Sequence, residues 1–314
     1  MGYALNTTTD YHIHKLKSLG WELTVCNALY PDNSPCRGVL KSNASFGEHL
    51  FNFLRRYVPL NHLAQVLEVG GGLGHLMKDF LTQAPNLRAT MLDISPVLLQ
   101  QQKENLSGFP ANFREMDFLK MPVSDLRGFD LAIFNENLGD FPTLVFEENL
   151  PETDDQDTIR SLKKAADYEE EFSLEFTSTE SINIGALEIL EKLCGANIPY
   201  IYLSEHSCEA SLHNPYYPHH NFEASGVPEK ISLRGHTEYT IKFSHLETIA
   251  RAFRYRVFRG QYIDILPMGS SHKVQAALRS AAPLNDEQEI IQQFFHDLYK
   301  YEYLLLIHDS KRKG

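Results

Sequence analysis

Ala64-Gln65-Val66-Leu67-Glu68-Val69-Gly70-Gly71-Gly72-Leu73-Gly74-His75-Leu76 decides how the rest of the chain is read. An apolar run ends in an acid, breaks into four glycines within five residues and resumes with helix formers. That order predicts a strand, a tight turn and a helix. In an open α/β sheet, ligands sit at the carboxyl ends of the strands, where glycines let the backbone approach closely and the next helix begins. A nicotinamide site wants Gly-x-Gly-x-x-Gly, and its last glycine would fall at His75, so that pattern fails. What stands instead is acid-x-Gly-x-Gly-x-Gly, from Glu68 to Gly74.

This pattern resembles the first motif of class I S-adenosylmethionine (SAM) methyltransferases. The resemblance implies that Glu68 lies near the methionine ammonium and that Gly70, Gly71, Gly72 and Gly74 line the cofactor. SAM carries cations and no phosphate, which suits an acid at the strand end. Nineteen residues past Gly74, the run Ala89-Thr90-Met91-Leu92 ends at Asp93, followed by Ile94. The interval predicts a second strand whose terminal carboxylate accepts the ribose hydroxyls. A glycine-rich turn without a ligand is the plain alternative, and an acid at this interval argues against it.

With 314 residues, 43% of them hydrophobic, the chain can bury a full core and fits one large domain, alone or with an appended subdomain. No apolar run approaches the roughly 18 residues of a membrane span, and Met1 to Asp10 is neither basic nor apolar, so a cytoplasmic enzyme is expected. Cys26, Cys36, Cys194 and Cys208 are widely spaced without Cys-x-x-Cys; reduced, structural thiols are expected, with no zinc site. Residues 147–180 hold twelve acids against Arg160, Lys163 and Lys164, which is −9 of the net charge of −12. The remainder is nearly neutral, which excludes a nucleic-acid backbone as the expected partner.

Residues 1–40 read as a turn-rich cover. Ser45-Phe46-Gly47-Glu48 has the form of a capping box and starts a helix to about Val58, ended by Pro59. Ser95 and Pro96 open the helix after Asp93, which Gly108 and Pro110 close. Asn112 to Glu115 is a third strand leading to Asp117 and Phe118. Asp117 is placed either to accept the adenine amine or as a plain loop aspartate. Leu131 to Phe134 is the fourth strand and opens into Asn135-Glu136-Asn137-Leu138-Gly139-Asp140-Phe141-Pro142. Polar groups at the end of a buried strand need partners, which points Asn135 and Glu136 toward a ligand or a hydrogen-bond network.

Farther on, the acidic segment carries one helix after Asp157 and another into Ile182 to Cys194, and reads as a lid or as a solvated face. Tyr200 to Leu203 is the fifth strand, ending at Ser204-Glu205-His206. The polar, histidine-rich loop that follows lacks the ligand spacing of a metal site and is expected to face substrate. Ser244 to Glu247 has the form of a second capping box. Tyr255 to Ile265 is strand-like, Asn285 or Asp286 caps a helix through Tyr299, and Tyr303 to Ile307 closes the chain. The expected fold is α/β: a Rossmann-like, seven-stranded, mostly parallel sheet with helices on both faces, an N-terminal cover and an inserted helical segment. Its expected division is a cover and packing helix over 1–58 and a methyltransferase domain over 59–314, with the insertion at 147–180 and the substrate-facing loop at 206–236.

Leu92-Asp93-Ile94-Ser95-Pro96-Val97-Leu98-Leu99-Gln100-Gln101 resembles the second motif of the MidA-like methyltransferases, whose mitochondrial members methylate an arginine on a complex I subunit. That family carries Asn-Glu-x-x-Asp-x-x-Pro after the fourth strand. Asn135, Glu136 and Pro142 match, whereas Gly139 holds the acid position and Asp140 follows it. Ala28-Leu29-Tyr30-Pro31, Phe46-Gly47 and Tyr239 to Ile249 echo further segments, while the family's N-terminal glycine-rich segment and its Asp-Tyr-Gly after the fifth strand are absent.

The resemblance implies SAM as cofactor, contacted by Glu68, the glycines, Asp93, Ile94, Asp117, Phe118 and Asn135. A guanidinium acceptor must be held by carboxylates and lose its proton, for which Glu136 and Asp140 are the candidates. Glu205 and His206 would serve a phenol, hydroxyl or amine. A protein side chain leads as the expected acceptor. A small molecule is the first alternative, and a SAM-binding protein without catalysis the second.

Overall fold

The computed structural model of the protein describes residues 2–17, 24–148, 153–177 and 179–309. Its strands are β1 (Gly2–Asn6), β2 (Gln65–Val69), β3 (Arg88–Asp93), β4 (Ala111–Glu115), β5 (Leu131–Asn135), β6 (Thr143–Glu147), β7 (Tyr200–His206), β8 (Lys230–Ser232), β9 (Thr237–Tyr239), β10 (Tyr255–Gln261) and β11 (Tyr301–His308). Its helices are α1 (Val25–Ala28), α2 (Phe46–Leu54), α3 (His75–Gln83), α4 (Pro96–Asn105), α5 (Val123–Leu126), α6 (Gln156–Phe172), α7 (Ile184–Gly195), α8 (Phe243–Ala252), α9 (His272–Arg279) and α10 (Asp286–Lys300).

Seven strands form the central sheet in the order β10-β11-β7-β5-β2-β3-β4. The pairs β2–β3, β3–β4, β2–β5 and β5–β7 are parallel, and only β11 opposes its neighbours. This is the Rossmann-like sheet expected of a class I methyltransferase. Side chains alternate across it: Tyr202 and Leu305 pack toward Leu50, Phe51, Phe80 and Phe295, whereas Ile201, Leu203, Leu304 and Leu306 pack toward Ile189, Leu190, Phe243 and Leu246. Burial on both faces is why the parallel strands read as nearly continuous apolar runs. It is also why their chemistry collects at the carboxyl ends.

The first capping box is present as expected. Ser45 Oγ accepts the Glu48 amide at 3.2 Å, Glu48 Oε2 accepts the Ser45 amide at 2.8 Å, and Ser45 Oγ donates to Asp79 Oδ2 on α3. That helix ends at Leu54, short of Val58, and a turn carries the chain to Pro59. The second capping box does not form. α8 begins two residues earlier, at Phe243 after Lys242, because the Ser244 amide donates to Glu209 and Glu247 pairs with Arg251 instead. The strand-like stretch from Tyr255 stops at Gln261, and the closing strand is longer than expected, Tyr301–His308.

Sequence reading gave no hint of β6, which leaves the Asn-Glu loop and pairs antiparallel with β1 from the far N-terminus. This small ribbon carries residues 8–16 over the carboxyl edge of the sheet. The helix of the acidic segment, α6, lies against α7 and α8, with Tyr168 Oη donating to Glu191 Oε2, and contributes nothing to the pocket lining. No helix of the described residues is long and apolar enough to cross a membrane, and the four cysteines are free.

The two capping motifs give opposite expectations. Ser45→Ala should lower unfolding stability by about 1–2 kcal/mol in urea titrations, since it removes a cap and the bond to Asp79. Ser244→Ala should change it by less than about 0.5 kcal/mol. Equal losses would contradict the assignment of the α8 start.

Candidate functional site

The turn after β2 is built for close approach. Gly70 has φ 61° and a Cβ there would stand 2.3 Å from Asn137 Nδ2; a Cβ on Gly71 would stand 2.9 Å from the Glu68 carboxyl carbon. Glu68 is 2% exposed, and its Oε2 has no hydrogen-bond partner. Burial, with Asp93 adding to it, pushes this carboxyl up to about 8. Gly72 lines the same pocket, whereas Gly74 does not: it caps α3 at φ 80°.

At the end of β3, Asp93 is held from both sides. Oδ1 accepts the Ser95 amide at 2.9 Å, and Oδ2 accepts Gln102 Nε2 at 2.7 Å. Gln102 also donates to the Gly72 carbonyl, so α4 ties the acid to the glycine turn. Burial raises the Asp93 carboxyl to about 6 against these bonds. Ile94, Asp117 and Phe118 line the pocket beside it; Asp117 caps the short turn after β4 through the Leu119 amide, and Phe118 stands edge-on to Phe134.

The loop after β5 forms the other wall. Glu136 has φ 56°, an unfavourable conformation for a side-chain-bearing residue, and the loop holds it there through several bonds. Its carboxylate accepts the Val25 amide at 2.6 Å, the Cys26 amide at 3.2 Å, Asn135 Nδ2 at 3.0 Å and the Tyr262 hydroxyl at 3.3 Å. Burial nevertheless carries it up to about 8. Asn135 completes a network with Ser204 and Tyr262. Asn137 donates to the Val69 carbonyl, joining the two loops that flank β2 and β5.

Asp140 meets residues from two other segments. His12 Nε2 lies 2.7 Å from Asp140 Oδ1, and His236 Nε2 lies 3.7 Å from the same oxygen and 2.6 Å from Glu238 Oε1. Tyr11 stacks on His236 with ring centroids 4.2 Å apart. Glu238 is the acid that stays protonated in this pair: burial first, then Asp140 and Glu205, push it up to about 10. Burial also acts on Asp140, but the bond and charge of His12 overcome it and hold that carboxyl low. Nearby, Glu205 accepts the Gly139 amide at 3.2 Å and the His206 amide at 2.8 Å, and the His206 ring packs on Tyr301 at 3.8 Å.

Together these groups enclose about 210 Å³. Glu68, Asp93, Asp117, Glu136, Asp140, Glu205 and Glu238 line the cavity, and no described lysine or arginine does. Such a cavity suits a ligand that brings its own positive charge.

Residues 66–153 match the family model of a methyltransferase domain. A curated relative, malonyl-[acyl-carrier protein] O-methyltransferase of Neorickettsia risticii (strain Illinois), is 35% identical over 85 residues, which are 27% of this chain and 34% of that protein. The matched segment thus spans about a third of the relative's length. Among solved structures, an uncharacterised protein of Burkholderia thailandensis superposes with a TM-score of 0.55 at 10% identity, over 98% of this chain and 88% of its own. That likeness extends the common fold beyond the methyltransferase segment to nearly the whole chain.

The structure brings all fourteen sequence-derived site residues but Gly74 to the pocket wall. Sequence reading missed Tyr11, His12, Asn137, His236 and Glu238. His236 and Glu238 stand two apart, as do residues on one face of a strand, and that is the one signal the sequence carried for them. The loop expected to face substrate reaches the pocket only through His206, Ile231, Leu233 and His236. His220 instead points to α10, its Nδ1 2.9 Å from His296 Nε2.

A carboxyl that stays protonated in the fold up to about pH 8 but ionises near 4.5 when unfolded binds more protons in the native state. Stability of the ligand-free protein should therefore fall as pH rises from about 5 to 8. Glu68→Gln should flatten part of that fall, by about 1.4 kcal/mol for each unit of upward shift that Glu68 retains. Parallel pH profiles of the two proteins in urea unfolding would contradict it.

Proposed function

We propose that the protein is a SAM-dependent methyltransferase whose acceptor is a small molecule bearing a proton on the oxygen or nitrogen to be methylated. The observation that carries the cofactor is the unpartnered Glu68 Oε2, buried beside glycines and one strand from Asp93. An uncompensated buried carboxyl is costly, and the methionine ammonium would relieve it. Asp93 would accept the ribose hydroxyls, Asp117 the adenine amine, and Ile94 and Phe118 would flank the ring. Bound there, the cofactor supplies a methyl group on a sulfonium, open to in-line displacement.

The chain's own residues then have to align the acceptor, keep water out and take its proton. Residues 1–58 act as the cover and 59–314 as the catalytic domain in this reading. Glu136 fastens the cover, since its oxygens are occupied by the Val25 and Cys26 amides. Asp140 is likewise engaged by His12. A guanidinium wants a free carboxylate in its plane to accept two parallel N–H bonds, and neither of these is free, so the pocket favours a neutral hydroxyl or amine. In this reading the His206 ring, with Glu205 bonded to its backbone amide, would receive the proton. The malonyl group in the name of the curated relative carries a carboxylate, and a wall of seven acidic side chains with no described lysine or arginine among them disfavours an acceptor of that kind here. A protein side chain is the second reading, favoured by the MidA-like resemblance over residues 92–101 and 135–142.

Calorimetric titration with SAM, S-adenosylhomocysteine and NAD tests the cofactor. The first two should bind and the third should not, and Asp93→Ala should weaken SAM by about 1–3 kcal/mol. Binding of NAD alone, or of none of the three, would refute the reading.

A further inference from the structure

We propose that His12, Asp140 and His236 form a binding site for a divalent transition-metal ion, with Glu238 as a fourth donor and an open position toward the pocket. The three come from separate parts of the chain: the turn after β1, the loop after β5 and the connection between β8 and β9. His12 Nε2, Asp140 Oδ1 and a ring nitrogen of His236 lie within 4.8 Å of one another. Both imidazoles approach the same carboxylate oxygen, at 2.7 and 3.7 Å, and Glu238 Oε1 stands 2.6 Å from His236 Nε2.

Two features separate this cluster from an ordinary hydrogen-bonded network. Two carboxyl groups, Asp140 and Glu238, hydrogen-bond to each other beside two imidazoles, and no described lysine or arginine lines the cavity to compete for them. The donors are also held in place before any ion arrives: Tyr11 stacks on the His236 ring, and the Thr8 hydroxyl donates to the Asp140 carbonyl at 2.7 Å. Two imidazoles and two carboxylates are a set that Zn²⁺, Mn²⁺ or Fe²⁺ accepts, and bonds of about 2.0–2.2 Å put tetrahedral neighbours roughly 3.3–3.5 Å apart. The donor spacings of 2.6, 2.7 and 3.7 Å bracket that range, so the side chains need to spread around an ion rather than be brought together from afar. All four residues line the pocket, so an ion held there faces the acceptor. Its use, to hold the oxygen or nitrogen that is methylated, rests on the methyltransferase reading; the ion site does not.

The test uses the full chain, treated with chelator and then desalted. Titration with Zn²⁺ alone, with metal analysis after gel filtration, should give one ion per chain, and Co²⁺ should give the visible absorption of a four- or five-coordinate site. Asp140→Asn, which keeps the size of the side chain, and His236→Ala should each weaken Zn²⁺ at least tenfold, and His12→Ala/His236→Ala should abolish the stoichiometric site. Circular dichroism in metal-free buffer establishes that each variant is folded. His219→Ala, in the exposed part of the histidine-rich loop, should bind as the wild type does. No stoichiometric binding by the wild type, or unchanged affinity in the double variant, would overturn the proposal. SAM titration of the same metal-free protein reads the cofactor separately: SAM binding without Zn²⁺ binding rejects the ion site alone, and Zn²⁺ binding without SAM binding rejects the methyltransferase reading alone.

Discussion

Burial of ionisable carboxyls at the carboxyl edge of a parallel sheet is the constraint on which the site depends. Glu68 and Asp93 end adjacent strands in register, Glu68 opposite Met91 and Val69 opposite Leu92, and among the described residues no lysine or arginine lines the pocket beside them. Apolar packing on both faces of the sheet fixes where those strand ends lie, so the acids cannot retreat to solvent. Their protonation therefore takes the strain, which a cationic ligand would remove.

A second carboxyl of the same kind does a different task. Glu136 is less completely buried than Glu68 and is surrounded by donors, two of them backbone amides of α1. It fastens the N-terminal cover to the end of β5. The cover in turn delivers Tyr11 and His12 to the far side of the cavity. One acid is thus left open to a ligand while another closes the roof above it. What separates them is the supply of hydrogen-bond donors rather than residue type.

The core of the fold was legible in the chain because its signals are local. An apolar run ending in acid and glycines, a second run ending in Asp93 at the right interval, and Ser45 with Glu48 each specify a backbone conformation from neighbouring residues alone. The second capping motif shows the limit of such reading. Ser244 and Glu247 satisfy the same local rule, but Glu209 takes the Ser244 amide and Arg251 takes Glu247, so the helix begins earlier. A tertiary partner outcompeted the local one.

By itself, then, the sequence determined the glycine turn, the acids that flank it, the alternation of strands and helices in the parallel half and the polar loop after β5. These follow from spacing and from the alternation of apolar and polar positions. Only the tertiary structure decided that β1 pairs with β6, that Glu136 is a fastening rather than a free acid, and that His12, Asp140 and His236 meet. Those contacts join segments 96 to 224 residues apart, where no periodicity links one to the next. They are fixed instead by the sheet, whose packing brings distant loops to a single edge.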